Sequence, residues 1–400
     1  MKPRFALLFI MIMIWMGCTE KPTKTPQTTL DVTQAHYDSL YAAIAPLKNG
    51  KKMMPRTTRN GKLVTVGIYD WTSGFFPASL WNLYGLTKKK KWKDRAVEYT
   101  EKLDSIQYWE GNHDVGFIME CTYGNALKYT DSPVYDSVIV QTARSLSTRF
   151  RPQAGVLQSW DWSKKWDCPV IIDNMMNLEL LFHATRISGD STYYNIAVSH
   201  ADTTLKNHYR EDNSSYHVLD YDTETGKVLQ KNTHQGLSDN SAWARGQAWG
   251  LYGFTMCYRE TGDSRYLEHA QKIADFIQNH PNLPKDKIPY WDYDAPASEN
   301  TPRDASAAAI AASALYELST FTENEKAQIH RNFADQIVTS LSSPAYFAAL
   351  GDNADFLLMH SVGSKPHDVE VDVPLNYADY YFLEALLRKK ETDGSEKDKH

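Results

Sequence analysis

The sequence predicts an all-α toroid built from helical hairpins, and three observations predict it. A helix-start phrase recurs along the chain, amphipathic segments alternate with apolar small-residue ones, and strand-like alternation is scarce. The phrase reads Asp131-Ser132-Pro133-Val134-Tyr135, then Asp190-Ser191-Thr192-Tyr193-Tyr194, then Asp263-Ser264-Arg265-Tyr266, with residues 88–103 as a further copy that carries Trp92 in the aromatic place. In each copy an Asp or Ser can cap free backbone N–H groups while the aromatic anchors the first turn. Intervals of about 40 to about 70 residues leave room for one helical hairpin and a variable loop.

Between the copies lie more apolar stretches at residues 74–84, 116–128, 174–187, 245–260 and 305–318. The amphipathic copies fit an outer ring and the apolar stretches an inner one, because a helix that is apolar all round is buried on all sides. Strand-like alternation is confined to short pieces such as 62–69 and 216–221. An irregular helical solenoid satisfies the same pattern. In a toroid, ligands sit at the end where the loops entering the inner helices converge, so chemistry is expected at inner-helix N-termini.

At the N-terminus, Lys2 and Arg4 precede an apolar run, 5–16, that closes on Gly17-Cys18. That is the layout of a secretory signal, and the run is shorter than the ~20 residues of a membrane-spanning helix. Met16-Gly17-Cys18 resembles a lipobox, which predicts lipidation at Cys18 and an exported lipoprotein of the periplasm or outer membrane. Residues 1–18 are therefore expected as a lipoprotein signal peptide, 19–32 as a flexible tether, 33–390 as one folded domain and 391–400 as a disordered tail. The formal net charge of −6 argues against a nucleic-acid partner, which needs a clustered excess of Lys and Arg. Beyond Cys18, the remaining thiols Cys121, Cys168 and Cys257 sit among apolar or aromatic neighbours. No zinc-like spacing of His and Cys occurs, so no metal is expected.

Polar groups stand beside aromatics where inner helices should begin. Tyr69-Asp70-Trp71-Thr72-Ser73-Gly74 leads into one, His113-Asp114-Val115-Gly116 into the next, Ile171-Ile172-Asp173-Asn174 into a third, Trp243-Ala244-Arg245-Gly246 into a fourth and Thr301-Pro302-Arg303-Asp304 into a fifth. Aromatic faces offer flat apolar platforms to sugar rings, and the planar fork of Arg245 suits a carboxylate. Arg245 and Trp249 are four residues apart and share a helix face, so a sugar that carries a carboxylate is the expected ligand. Asp114 and Asp173 are the candidate pair of carboxylates for glycosidic chemistry, one protonated and one ionised. Asp173 equally occupies the place of an N-cap. The residues by themselves stop at an enzyme or binder of acidic sugars.

At these residues the sequence resembles the unsaturated glucuronyl hydrolases, glycoside hydrolase family 88. The resemblance runs from about Tyr37 to Arg388 and rests on the stretches DWTSGFFPASLW, HDVGF, IIDNMMNLELLF, ARGQAWGLYGF, TPRDASAAAIAASAL and EVDVPLNYADYYFLEALLR. It implies an (α/α)6 barrel and removal of a 4,5-unsaturated uronic acid from the non-reducing end of oligosaccharides made by polysaccharide lyases, of glycosaminoglycan or ulvan type. It implies no cofactor, because the enol ether needs only a proton and water. By matching motifs, Asp173 is implied to protonate C4 and Asp114 to hold the ring hydroxyls. Trp71, His217, Gln235, Arg245 and Trp249 are implied substrate contacts, with His234 a rival to His217. Ser361, Ser364 and Lys365 resemble a loop that meets an anionic neighbouring sugar, at a different spacing. Three alternatives stay open: an unsaturated rhamnogalacturonyl hydrolase acting on pectin fragments, a non-catalytic glycan-binding lipoprotein, and a conventional inverting glycosidase on the same barrel acting on saturated oligosaccharides.

Overall fold

The computed structural model describes residues 28–397; the expected signal segment and Cys18 lie outside the described residues. Helix α1 (Thr29–Ile44) begins inside the stretch expected as a tether. Its cause is a capping box: the Asp31 amide donates to Thr28 Oγ1 at 3.2 Å and the Asp31 carboxylate accepts from the Thr28 amide at 3.3 Å. At the other end, helix α13 (Asn376–Lys397) continues through most of the tail expected as disordered from 391. Lys and Glu are good helix formers, and Asp393 pairs with Arg331 of a neighbouring helix.

The remaining helices alternate in role. The outer ones are α1, α3 (Lys90–Glu101), α6 (Pro133–Ser147), α8 (Ser191–Asn207), α10 (Ser264–Asn279) and α12 (Asn324–Leu341). The inner ones are α2 (Phe75–Thr87), then α4 (Val115–Met119) running through a π turn at Glu120–Gly124 into α5 (Asn125–Leu127), then α7 (Leu178–Ser188), α9 (Ala244–Thr261), α11 (Ala305–Phe321) and α13. Inner neighbours pack in sequence order, and α13 packs against both α11 and α2, which closes the ring as an (α/α)6 barrel.

The two rings differ as their sequences dictate. In α11 every residue from Ala305 to Tyr316 is buried. In α10 only Tyr266, His269, Ala270, Ile273, Ala274 and Ile277 are, a single stripe at helical spacing. The recurring phrase does what its chemistry predicts. Asp190 Oδ1 accepts from the Thr192 amide and Asp263 Oδ1 from the Arg265 amide, each at 2.9 Å, and Ser132 caps α6 through the Tyr135 amide. The aromatics Trp92, Tyr135, Tyr193 and Tyr266 are buried beneath those starts.

Connections set the polarity of the barrel. Links from an inner helix to the next outer one are short, at 88–89, 189–190, 262–263 and 322–323, whereas links from outer to inner are long and hold all the described strands. These are the hairpin β1 (Met54–Arg59) and β2 (Lys62–Val66), the pair β3 (Phe150–Arg151) and β4 (Val156–Leu157), the sheet β5 (Pro169–Ile171), β6 (Val218–Tyr221) and β7 (Val228–Asn232), and the hairpin β8 (Ser361–Ser364) and β9 (Val369–Val373). All of them therefore lie at the end where inner helices begin. In the β8–β9 hairpin the second strand alternates as Val369-Glu370-Val371-Asp372-Val373, yet Asp368, Glu370 and Asp372 hold left-handed φ of 51°, 54° and 58° there.

Inner helices approach closely where a side chain is missing. A Cβ on Gly116 would stand 2.8 Å from Asn177 Cα, backbone that has no room to yield. Gly116→Ala is expected to cost about 1–3 kcal/mol, the typical range for overpacking a tight core. Chemical denaturation monitored by tryptophan fluorescence checks this, and an unchanged midpoint would contradict the close-approach account.

Candidate active site

A cavity of about 360 Å³ opens at the end where the long loops converge, within the usual size range of small-ligand sites. Its walls include Trp71, Asn112, His113, Asp114, Phe117, Asp173, Gln235 and Arg245 from the starts of inner helices and the loops beside them. Ser364, His367 and Val369 come from the β8–β9 hairpin.

Asp114 and Asp173 reach this cavity from adjacent inner-helix starts. Asp114 is the N-cap residue of α4, yet its side chain makes no capping bond. Asp173 lies inside the 3₁₀ turn Ile172–Asn177, whose N-cap residue is Ile171, so capping does not account for it. The strand pairing of β5 with β6 carries the Ile172 amide to the His217 carbonyl at 3.1 Å, and this brings the side chains of Asp173 and His217 together. Each Asp side chain keeps 14 % of its surface exposed, enough to meet a ligand.

Burial dominates the electrostatics of the pair. It pushes the Asp173 carboxyl up to about 7, with the Arg245 guanidinium opposing and the neighbouring Asp114 charge adding. It pushes Asp114 likewise to about 7, with the Asn177 side chain and Arg149 opposing and Asp70 adding. Asp173 Oδ2 is buried without a hydrogen-bond partner. Two carboxyl groups that exchange protons near neutrality on one cavity wall are equipped for general acid and base work.

The other expected residues divide. Trp71 forms an aromatic wall, held edge-on by Phe75 and Phe117 and tilted over Tyr377 with centroids 4.9 Å apart. Gln235 lines the cavity and donates to the Gly363 carbonyl at 3.0 Å. Arg245 lines it too, but its fork is largely occupied, not free for a carboxylate. It donates to the carbonyls of Val362 and Gly363 and pairs with Asp304, and only its Nε lacks a partner.

Several expected contacts lie outside the cavity wall. Trp249 is 0 % exposed, packed between Phe117 and Tyr381 with centroids 5.1 and 5.3 Å away. A buried ring has no free face for a sugar; its side chain instead helps favour the ionised form of Asp173. His217 is buried behind Asp173, its Nε2 3.8 Å from Oδ2, and of these two rivals it is His234 that lines the cavity. Ser361 is 0 % exposed because β8 lays it inward, and Lys365 falls outside the lining, whereas Ser364 belongs to it and its hydroxyl meets His367 Nδ1 at 2.7 Å.

Sequence reasoning missed the rim. Trp160 and Trp162 stack with centroids 5.3 Å apart, and His234 packs on both and on His367, at 4.4 Å. Trp162 is 65 % exposed at the mouth. The stretch Ser159-Trp160-Asp161-Trp162-Ser163-Lys164-Lys165-Trp166 carried the signal, since of three tryptophans so close together Trp160 and Trp166 fill a small cluster with Ile171 and Val218 while Trp162 is left exposed. Among the described residues, no group of three or more His, Cys, Asp and Glu side chains is arranged to hold a metal ion.

Comparison with known proteins agrees with this geometry. Residues 48–282 match the model of Glycosyl Hydrolase Family 88. The chain is 50 % identical over 323 residues to an unsaturated glucuronyl hydrolase of Formosa agariphila, covering 80 % of each protein. It is 31 % identical over 329 residues to an unsaturated chondroitin disaccharide hydrolase of Streptococcus pneumoniae, covering 80 % of this chain and 81 % of the relative. Its structure is similar to the crystal structure of an unsaturated glucuronyl hydrolase specific for heparin, with a TM-score of 0.87 and 46 % identity over 92 % of this chain and 98 % of that one.

Raised carboxyl values have a consequence for stability with a definite sign. Between the unfolded value of 3.8 and about 7 the folded protein holds more protons than the unfolded one, so stability falls as pH rises through that window. Asp173→Asn removes a carboxyl whose ionised form burial disfavours. The variant is expected to melt several degrees higher than the parent at pH 8 and to lose that advantage as pH falls toward 4. Calorimetry across pH tests this; a pH-independent difference would contradict it.

Proposed function

The chain belongs to glycoside hydrolase family 88, and from that premise we propose that it hydrates the C4=C5 double bond of an unsaturated uronic acid at the non-reducing end of lyase-generated oligosaccharides. The observation that carries this reading is the pair Asp114 and Asp173, both raised to about 7, on one wall of a sugar-sized cavity. An enol ether needs a proton at C4, and a carboxyl raised toward neutrality can hold and supply it. Asp173 gives that proton. Charge then develops at C5 as an oxocarbenium-like centre, water adds there, and Asp173 takes the proton that the water sheds. The resulting hemiketal opens and releases the sugar that had been attached. Trp71 packs against the ring, and Asp114 holds its hydroxyls.

The polysaccharide source is of glycosaminoglycan or ulvan type on this reading. Relatives that act on heparin and chondroitin fragments support it, as does the wording of the stretches leading into α2 and α7, which favours the glucuronyl over the rhamnogalacturonyl group. The sugar beyond the cleaved bond meets the rim formed by Trp160, Trp162, His234 and His367. Export and lipidation at Cys18 complete the proposal, supported by the Met16-Gly17-Cys18 sequence after an apolar run.

Loss of the enol-ether ultraviolet band, followed on unsaturated disaccharides from chondroitin, hyaluronan, heparin and ulvan, tests the reaction. Decay is expected on at least one member, and Asp173→Asn is expected to slow it by about 10²–10⁴-fold, the usual contribution of a general acid. Activity of the variant equal to the parent would remove Asp173 from the chemistry. No decay on any member, with release of rhamnose from an unsaturated rhamnogalacturonan disaccharide, would move the assignment to pectin. Metabolic labelling with an alkyne fatty acid is expected to mark the parent protein and not Cys18→Ala; equal labelling of both would overturn the anchor.

A further inference from the structure

Two histidines stand against the acid pair, and backbone groups of fixed polarity decide which nitrogen of each carries the proton. A peptide N–H only donates and a carbonyl only accepts, so either can orient a side chain that is ambiguous by itself. The Leu157 carbonyl takes a hydrogen bond from Asn174 Nδ2 at 2.6 Å, which turns Asn174 Oδ1 toward His113 Nδ1, 3.0 Å away. The Phe117 amide donates to Asn177 Oδ1 at 2.8 Å, which turns Asn177 Nδ2 toward Asn174 Oδ1 at 3.4 Å and His113 Nδ1 at 3.2 Å. The shortest contact at His113 Nδ1 is to an oxygen, so that nitrogen donates. Burial holds the ring neutral, with its titration pushed down to about 3. His113 Nε2 is then a bare lone pair, and it faces Asp114 Oδ1 at 3.4 Å.

His217 is arranged the other way. Its Nδ1 accepts the amides of His234 at 2.9 Å and Gln235 at 3.0 Å, so the proton of this buried, neutral ring sits on Nε2. That N–H faces Asp173 Oδ2 at 3.8 Å, and both atoms lack any hydrogen-bond partner.

We infer that His113 and His217 are locked in opposite tautomers, and that this places the one proton held by the acid pair in the free enzyme on Asp114, so that Asp173 acquires its own proton only together with the substrate. The inference rests on the proposed reading of the pair as the reacting groups. An acceptor opposite Asp114 favours its O–H form, and a donor opposite Asp173 favours the carboxylate. Other neighbours act on both: Arg245 and the Trp249 side chain also favour ionised Asp173, while Asn177 and Arg149 favour and Asp70 disfavours ionised Asp114. Asn177 is compatible with a protonated Asp114, because a protonated carboxyl keeps one oxygen able to accept while its O–H can turn toward the His113 lone pair.

An arriving uronate brings a negative charge and displaces water, and both raise Asp173. Asp173 takes one proton from solvent on binding, passes it to C4, recovers one from the water that adds at C5, and returns that one to solvent as product leaves. Asp114 keeps its proton throughout. His113 is thus a positioning residue that acts through Asp114.

Imidazole nitrogen shifts of the ¹⁵N-histidine-labelled enzyme without substrate test the tautomers and need no turnover. His113 is expected to carry its proton on Nδ1 and His217 on Nε2, assigned by the signals lost in His113→Asn and His217→Asn; the same tautomer at both positions overturns the inference. The basic limb of kcat reports the complex and that of kcat/KM the free enzyme. The kcat limb is expected about one pH unit or more above the other, and coincident limbs overturn proton uptake on binding. His113→Asn keeps a donor for Asn174 while presenting no acceptor to Asp114, and is expected to move the kcat/KM limb to lower pH. A uniform loss of rate with an unmoved limb overturns the positioning role and leaves the assignment of Asp173 intact.

Discussion

Arg245 is a cation with almost no contact with water, 1 % exposed at the start of α9. Its guanidinium lies against the rings of Trp243 and Tyr377, at 4.5 and 5.4 Å from their centroids. It pairs with Asp304, whose other oxygen caps α11 through the Ser306 and Ala307 amides. Its remaining donors hold the carbonyls of Val362 and Gly363. One buried charge therefore joins two inner helices and the β8–β9 hairpin, and it biases Asp173 as well. Removing a partner from such a node leaves an uncompensated buried charge, the costly case for interior ion pairs. The carboxylate-binding role suggested by residue type gives way to a structural one, with Nε as the donor still open.

That node explains why the hairpin can carry left-handed residues at Asp368, Glu370 and Asp372 and still present Ser364, His367 and Val369 to the cavity. Sparsely populated backbone persists where surrounding contacts over-determine it. Here Arg56 grips Glu370 through Nε at 2.6 Å and a second bond at 2.9 Å, and binds Asp70 at 2.6 Å. Asp70 in turn caps the turn after Trp71 through the Thr72 amide. The aromatic wall on one side of the cavity and the hairpin on the other are thus one connected unit.

The ring was legible in the sequence because its signals are local. A cap, an aromatic in the first turn and a stripe at helical spacing each act within one helix, so Asp190 and Tyr193 announce α8 before any tertiary contact is known. The same locality betrayed the ends: the Thr28 and Asp31 capping box was hidden in a Pro- and Thr-rich stretch read by composition. At the site, Asp114, Asp173 and Trp71, which line the cavity, could be singled out because they stand at or just before inner-helix starts where a polar residue sits beside an aromatic, whereas Gln235, on the loop after β7, came only from the resemblance. Trp249 and His217 were misplaced because sequence spacing gives the face of a helix or strand, and not how deep that face lies. Trp249 shares a face with Arg245, and both point into protein.

Chemistry and recognition are consequently built on different parts of the fold. The acid pair stands at the starts of adjacent inner helices, where a shift of backbone would collide with a neighbour such as Asn177 against Gly116. The rim residues Trp160, Trp162 and His234 stand on connections between outer and inner helices, which the ring tolerates at any length. A proton transfer demands fixed distances and a fixed low-dielectric setting, whereas a leaving sugar demands only a surface of matching shape and polarity. It follows that the sites of Asp114 and Asp173 are constrained by the same close packing that closes the barrel. On the proposed reading, the identity of the released sugar is set in segments that the barrel itself leaves free.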